Sequence, residues 1–267
     1  VRAVEIEELG HVPFVRHQVD PATVEGSWTS AGPSARTSAA ASAAASAATS
    51  AGASARASVV LARRPLPRGR TLVATGFGPE EQLRPLLAQV ATAGVRPERV
   101  MVDAPVAVVP RAWPLTELRT WHWMLSTTTP PADPARLERV SEEAEVSALL
   151  DAAAPDSLAR PGTPGVESWH GLREDGTLVA VGALVRQPDG TGHVRAVTVA
   201  PAWRGRGLGR ALSTGLTRLA QAGTGIASLG VYTDNAPALA IYRGLGYEVR
   251  HTFTTGPVAA VSAGRDS

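Results

Sequence analysis

Between residues 137 and 254 the apolar positions switch repeatedly between a period of two and a period near 3.6, which mark half-buried strands and one-sided helices. Residues 137–140 read as a strand. Ser141 then stands where it can cap a helix that has Glu142 and Glu143 in its first turn and Val146, Leu149, Leu150 and Ala153 on one face. Residues 168–173, 178–186 and 193–199 predict three strands, joined at Asp175-Gly176 and Asp189-Gly190, pairs that accept the positive φ of tight hairpin turns. A helix over 207–222 follows, with Leu208, Ala211, Leu212, Leu216 and Leu219 at three- and four-residue spacing and Gly223 to end it. Residues 226–232 predict a strand, 236–245 a helix stopped by Gly246, and 247–254 a last strand.

The first half alternates less regularly. Residues 59–63 and 71–75 predict strands, 79–93 a helix, 100–103 a short strand, and Trp121, Trp123 and Leu125 alternate with His122 and Met124. The turn Gly76-Phe77-Gly78 is followed by Glu80 and Glu81, carboxylates that complement a helix dipole and would repel a diphosphate, so it reads as a structural helix start. Arg63, Arg64, Arg68 and Arg70 are expected to form a solvated edge. Residues 30–58 are almost wholly Ala, Ser, Thr and Gly. A helix there has no apolar stripe to bury, which predicts a low-complexity insertion in a first unit spanning 1–128. A Pro-rich linker at 129–135 continues neither element type. A second unit is expected at 136–256, with a tail at 257–267.

Composition removes several chemistries. The 267 residues contain no Cys, so thiol nucleophiles, disulfides and cysteinyl metal sites are excluded. All 26 basic residues are Arg, which excludes Schiff-base lysines and a phosphate-loop lysine. The six His residues lack metal-ligand spacing, and no Gly-x-Ser-x-Gly elbow occurs. The net charge of +2 gives no argument for nucleic acid as a partner. No basic start precedes an apolar run and no apolar stretch reaches membrane-spanning length, so the expectation is a soluble, cytoplasmic protein with no membrane partner.

One segment carries chemistry. The strand 193–199 leads through Pro201 into Arg204-Gly205-Arg206-Gly207-Leu208-Gly209-Arg210 and straight into a long helix. Glycines let a ligand approach the backbone, the first amides of the helix point outward unpaired, and the dipole adds partial positive charge, so an anion fits there. Arg204, Arg206 and Arg210 are placed to add charge-assisted bonds to phosphates.

These residues resemble the GCN5-related N-acetyltransferases. That family's acyl-CoA loop, Gln/Arg-x-x-Gly-x-Gly/Ala, is matched by Arg204, Gly207 and Gly209, and its second signature by Asn235, Tyr242, Gly246 and Tyr247. The resemblance covers about 137–253 and implies an α+β protein with a mixed sheet. It places the acyltransferase fold in the C-terminal half, with a smaller, degenerate copy of it as an α+β lobe in the N-terminal half. It also implies acetyl-CoA as cosubstrate and a small-molecule or peptide amine as partner, acetylated by direct attack in a ternary complex.

On the same resemblance the strand 193–199 splays from 226–232. The pantetheine arm then bonds the main chain along Val197, Thr198 and Val199, and an amide near Val197 polarises the thioester carbonyl. Eleven residues before Arg204, where histone-acetylating members carry a Glu, this chain has His193. It reads either as the base or as a polar residue after a turn, with Glu167, His170 or a water chain as other candidates. Tyr242 corresponds to the family's acid towards the departing thiolate, or is a core aromatic. Asn235 caps its helix, contacts the cosubstrate, or both. The alternative reading is a non-catalytic acyl-CoA-binding sensor or regulatory module.

Overall fold

The computed structural model describes residues 2–3, 6–9, 12–30, 56–66, 69–133 and 137–259. Most of the low-complexity insertion, parts of the N-terminal ten residues and of the linker, Arg68 and residues 260–267 lie outside the described residues. In chain order the elements are β1 (Arg2–Ala3), α1 (Pro13–Gln18), β2 (Val24–Thr29), β3 (Ser58–Leu66), β4 (Gly69–Phe77), α2 (Glu80–Thr92), β5 (Arg99–Val102), β6 (Arg119–Ser126), β7 (Glu138–Val140), α3 (Glu143–Ala153), β8 (Val166–Glu174), β9 (Thr177–Arg186), β10 (Gly192–Val199), α4 (Leu208–Gln221), β11 (Ala227–Tyr232), α5 (Ala236–Gly244) and β12 (Glu248–Pro257). Every strand and helix predicted from the sequence is present; β1, β2 and α1 were not predicted. The predicted cap of α3 is corrected: Glu142 holds the cap position with no side-chain cap bond, because the chain enters the helix one residue later than Ser141.

The linker does not divide the molecule into two sheets. All twelve strands form one, in the order β1-β2-β3-β4-β5-β12-β6-β11-β10-β9-β8-β7. Both halves repeat one scheme: an antiparallel pair, a helix, then a strand parallel to the second of the pair, as β3-β4-α2-β5 and as β9-β10-α4-β11. Each half then sends its last strand across. β6, from before the linker, lies between β11 and β12, and β12 lies between β5 and β6. A boundary drawn at 129–135 therefore cuts the chain but not the fold.

Helices cover both faces of this sheet. Leu212 and Leu216 of α4, with Leu239 and Tyr242 of α5, pack on Leu184, Val194 and Leu229. Fully burying one such leucine contributes about 1.5–3 kcal/mol. On the opposite face α1 inserts Phe14 against Phe77, Trp123 and Phe253, with ring centroids 4.8–5.9 Å apart, while α3 packs Val146 and Leu150 on Trp169 and Val181. The start of β10 touches the end of α4 so closely that a Cβ on Gly192 would lie 2.3 Å from Ala220 Cα.

Candidate active site

β10 is where sequence and tertiary structure meet. It pairs with β11 only from Gly192 to Val194, opposite Ala227 to Leu229, and the two strands part beyond that point. On its other side the register with β9 shifts between Arg195 and Thr198. Ala196 sits in the left-handed region at φ +51°, a conformation that costs a non-glycine residue about 1–3 kcal/mol and marks a bulge. The bulge resets the alternation. Val194 and Val197, three residues apart, both face α4, while Arg195 and Ala196 both face the opposite side. Val197 has no ladder partner, and Thr198 and Val199 pair with β9 alone, leaving their β11 edge open. Gly230, across the gap on β11, is exposed although it lies in mid-strand.

The loop below the gap is open. Gly205 and Gly207 have φ of +79° and +81°, and a Cβ built on either meets no atom within 4 Å. Gly207 is the N-cap of α4 and its carbonyl accepts from Arg210 and Ala211, so the amides of Leu208 and Gly209 begin the helix without helical acceptors. A Cβ on Gly209 would rest at 3.5 Å from Ile241 and 3.7 Å from Val199. The corresponding turn of the first half contrasts with this. A Cβ on Gly78 would strike the Ala57 backbone at 2.7 Å, so that turn is plugged, as a structural helix start requires.

The three exposed arginines expected to reach phosphates each contact the protein itself in this structure. Arg204 turns back to donate to the Val199 carbonyl at 3.2 Å and the Ala153 carbonyl at 3.3 Å, bracing the loop. Arg206 stacks over Trp203 at 4.5 Å. Arg210 reaches α5, where its Nη1 would lie 3.1 Å from a Cβ on Gly244. The backbone amides of Leu208 and Gly209 stand at the open side of the loop, with these exposed arginines around it. Asn235 accepts from the Ala238 amide at 3.2 Å, so its side chain is a helix cap.

Tyr242 is buried 5.9 Å from the Tyr247 ring, in the core between α4 and α5. Burial pushes its phenol up to about 12, with the neighbouring Ser213 hydroxyl pulling the other way. Full proton donation to a thiolate of ordinary pKa near 8.5 is then uphill by roughly 5 kcal/mol, so the side chain is suited to hydrogen-bond a sulfur anion and keep its proton.

Of the two readings of His193, base or polar residue after a turn, its surroundings favour the second. Its Nδ1 lies 3.0 Å from Ser228 Oγ and 3.3 Å from Gln18 Nε2. Gln18 belongs to α1, and its Nε2 also donates to Ser228 at 3.1 Å. Burial first, then the charges of Arg195 and Arg64, hold the imidazole at about 3. A base that weak takes no proton from an alkylammonium near 10.4. His170 is also lowered, by burial and then by Arg139, and Glu167 is paired with Arg186 at 3.1 Å.

The His193 environment has a consequence for stability. An unfolded chain binds its proton near pH 6.5 while the folded one refuses it down to about 3, so stability falls as pH drops through that window. The maximal slope is about 1.4 kcal/mol per pH unit for one such group, less here because the ring is only half-buried. Urea melts at pH 7, 5.5 and 4.5 are expected to show a shallower acid loss for His193→Gln than for the parent. Equal slopes would remove His193 as a source.

Residues that sequence reasoning missed lie beside this histidine. Arg64, expected on a solvated edge, instead sits half-buried over the Phe14 ring at 4.8 Å and donates to the Gln18 carbonyl at 3.3 Å. Arg195 was legible as an ionised residue in an otherwise apolar strand, but its neighbours come from far away in the chain.

Comparison with known proteins places this arrangement. Residues 120–247, from the start of β6 to Tyr247, match the family model described as Acetyltransferase (GNAT) family. The chain is 40% identical over 83 residues to the N-alpha-acetyltransferase RimI of Mycobacterium tuberculosis, a match covering 30% of this chain and 51% of that protein. It is 48% identical over 63 residues to a mycothiol acetyltransferase of Corynebacterium jeikeium, covering 23% of this chain and 18% of that protein. The matches thus span about half the length of the first relative and under a fifth of the second. In fold, the chain resembles a putative GNAT acetyltransferase from Novosphingobium aromaticivorans (TM-score 0.54, 21% identity, 74% of this chain and 91% of that one). It also resembles a GCN5-related N-acetyltransferase from Kribbella flavida (TM-score 0.52, 17% identity, 78% and 88%). No described helix is long and apolar enough to cross a membrane. Residues 120–247, with the splayed strands and the open loop at their centre, form a domain of the acetyltransferase (GNAT) family.

Proposed function

We propose that the protein is an N-acetyltransferase that moves the acetyl group of acetyl-CoA to a primary amine by direct attack in a ternary complex. The observation that carries this reading is the unpaired β10 edge at Val197–Val199, running into the open glycine loop at the head of α4. A diphosphate fits the amides of that loop, Leu208 and Gly209 foremost, and the open main chain of Val197 and Val199 suits an extended arm. The thioester supplies the activated acetyl group. The Val197 amide is placed to donate to the carbonyl oxygen as charge develops on it, and Tyr242 to hydrogen-bond the departing sulfur. No covalent enzyme intermediate is required, which accords with a chain lacking Cys and Lys.

The weak basicity of His193 and His170 supports a water route for the amine's proton. The same weakness favours the second reading, a sensor that binds acyl-CoA without turning it over. Release of free CoA thiol in the presence of amines separates the two, since a sensor binds acetyl-CoA by calorimetry but releases none. For the enzyme, Tyr242→Phe is expected to lower kcat about ten- to a hundredfold while the acetyl-CoA Kd changes less than threefold. A variant as active as the parent would remove Tyr242 from the mechanism.

A further inference from the structure

The face of the sheet opposite α4 holds two guanidinium groups that the proposed chemistry does not use. Arg195 leaves β10 on the same side as His193, at the residue before the bulge, beside the point where β10 and β11 part. Arg64 reaches the same place from β3, over Phe14 and bonded to the Gln18 carbonyl. Neither has a carboxylate partner among the described residues. The nearby Asp189 is already held by His17 at 2.6 Å and by Thr191 at 3.0 Å. The remaining groups around the two arginines, Gln18, His193 and Ser228, are uncharged, and both arginine residues are only partly exposed.

Two like charges confined together destabilise each other. Burial and then Arg195 pull the Arg64 guanidinium down to about 10, and burial lowers Arg195 as well. Such a pair gains most from an anion that enters with the substrate, because charge-assisted bonds strengthen where water is scarce. Guanidinium groups suit a planar carboxylate in particular, which accepts two parallel bonds. The loop at the head of α4 serves the diphosphate elsewhere, so this charge is not needed for CoA.

We propose that the acceptor is a primary amine that also carries a carboxylate, which Arg195 and Arg64 hold on the face covered by α1. This rests on the acetyl-transfer reading above. The same two charges disfavour the ammonium form of the incoming amine and so raise the fraction of neutral nucleophile, a role the weakly basic His193 does not fill.

The test compares acceptor pairs that differ only in a distant charge: dipeptides such as Ala-Ala and Gly-Glu as free acids and as their carboxamides, with CoA thiol release as readout and acetyl-CoA calorimetry run in parallel. The parent is expected to prefer the free acids at least tenfold in kcat/KM. That preference is expected to collapse towards one in Arg195→Gln, mainly through KM, to survive in part in Arg195→Lys, and to fall in Arg64→Gln, while each variant keeps its acetyl-CoA affinity. Arg64→Gln serves should Arg195→Gln fail to fold. Equal use of acids and carboxamides, a preference that survives both Gln variants, or no turnover of either series by a protein that binds acetyl-CoA would overturn the proposal. Failure to bind acetyl-CoA would instead sink the acetyl-transfer reading itself.

Discussion

Gly207→Glu is expected to weaken acetyl-CoA binding at least a hundredfold while the protein stays folded. Two effects act together. At φ +81° any side chain is strained, and the new carboxylate stands among the amides proposed to meet the diphosphate. Steric conflict inside the protein is not the cause, because a Cβ at 207 meets nothing within 4 Å. Gly223→Glu separates the two effects. Gly223, just past the other end of α4, has φ +98° and the same open surroundings. It should lose a similar ~1–2 kcal/mol of stability to backbone strain while keeping its affinity. Calorimetry and thermal melts on both variants decide the matter. Equal affinity in Gly207→Glu and the parent would show that the loop does not hold the cosubstrate.

Gly192→Ala is expected to be the most destabilising single-methyl addition in the C-terminal half, by about 3 kcal/mol or more and beyond the usual cost of overpacking. Its Cβ would lie 2.3 Å from both Cα and O of Ala220, so β10 must separate from α4. The obstacle is backbone. Ala220→Gly therefore cannot relieve it, and the double variant is expected to be no more stable than Gly192→Ala alone. Because β10 also carries the open edge at Val197 and Val199, any folded remainder should bind acetyl-CoA more weakly. Denaturant melts showing less than about 1 kcal/mol of loss, or rescue by Ala220→Gly, would contradict the close approach of strand and helix.

Local chemistry made much of this molecule readable. The Leu212–Leu216–Leu219 stripe marked α4, the Asp-Gly pairs marked the β8–β9–β10 hairpins, and the loop stood out because three glycines and three arginines surround the unpaired amides that any helix start carries. Each of these signals lies within about twenty residues and depends on φ preferences or on one side of one element. The Gly78 turn is legible in the same way: Glu80 and Glu81 speak against an anion there, and the Ala57 backbone fills the space.

What depended on distant parts of the chain was not readable. The exchange of β6 and β12 between the halves follows from strand pairings at separations above 100 residues, for which apolar alternation carries no partner information. His193 reads as a base or as a polar residue after a turn from its place in the chain, and burial, then the charges of Arg195 and Arg64, lowers its basicity in the fold. The three loop arginines read as phosphate ligands, and their contacts with the Val199 and Ala153 carbonyls, the Trp203 ring and the end of α5 were not legible. Periodicity and turn chemistry thus suffice for elements and for a backbone-built anion site, because both are properties of contiguous residues. The strength of an acid, a base or an ion pair is set by whatever charge and solvent the folded chain gathers around it, which no contiguous stretch encodes.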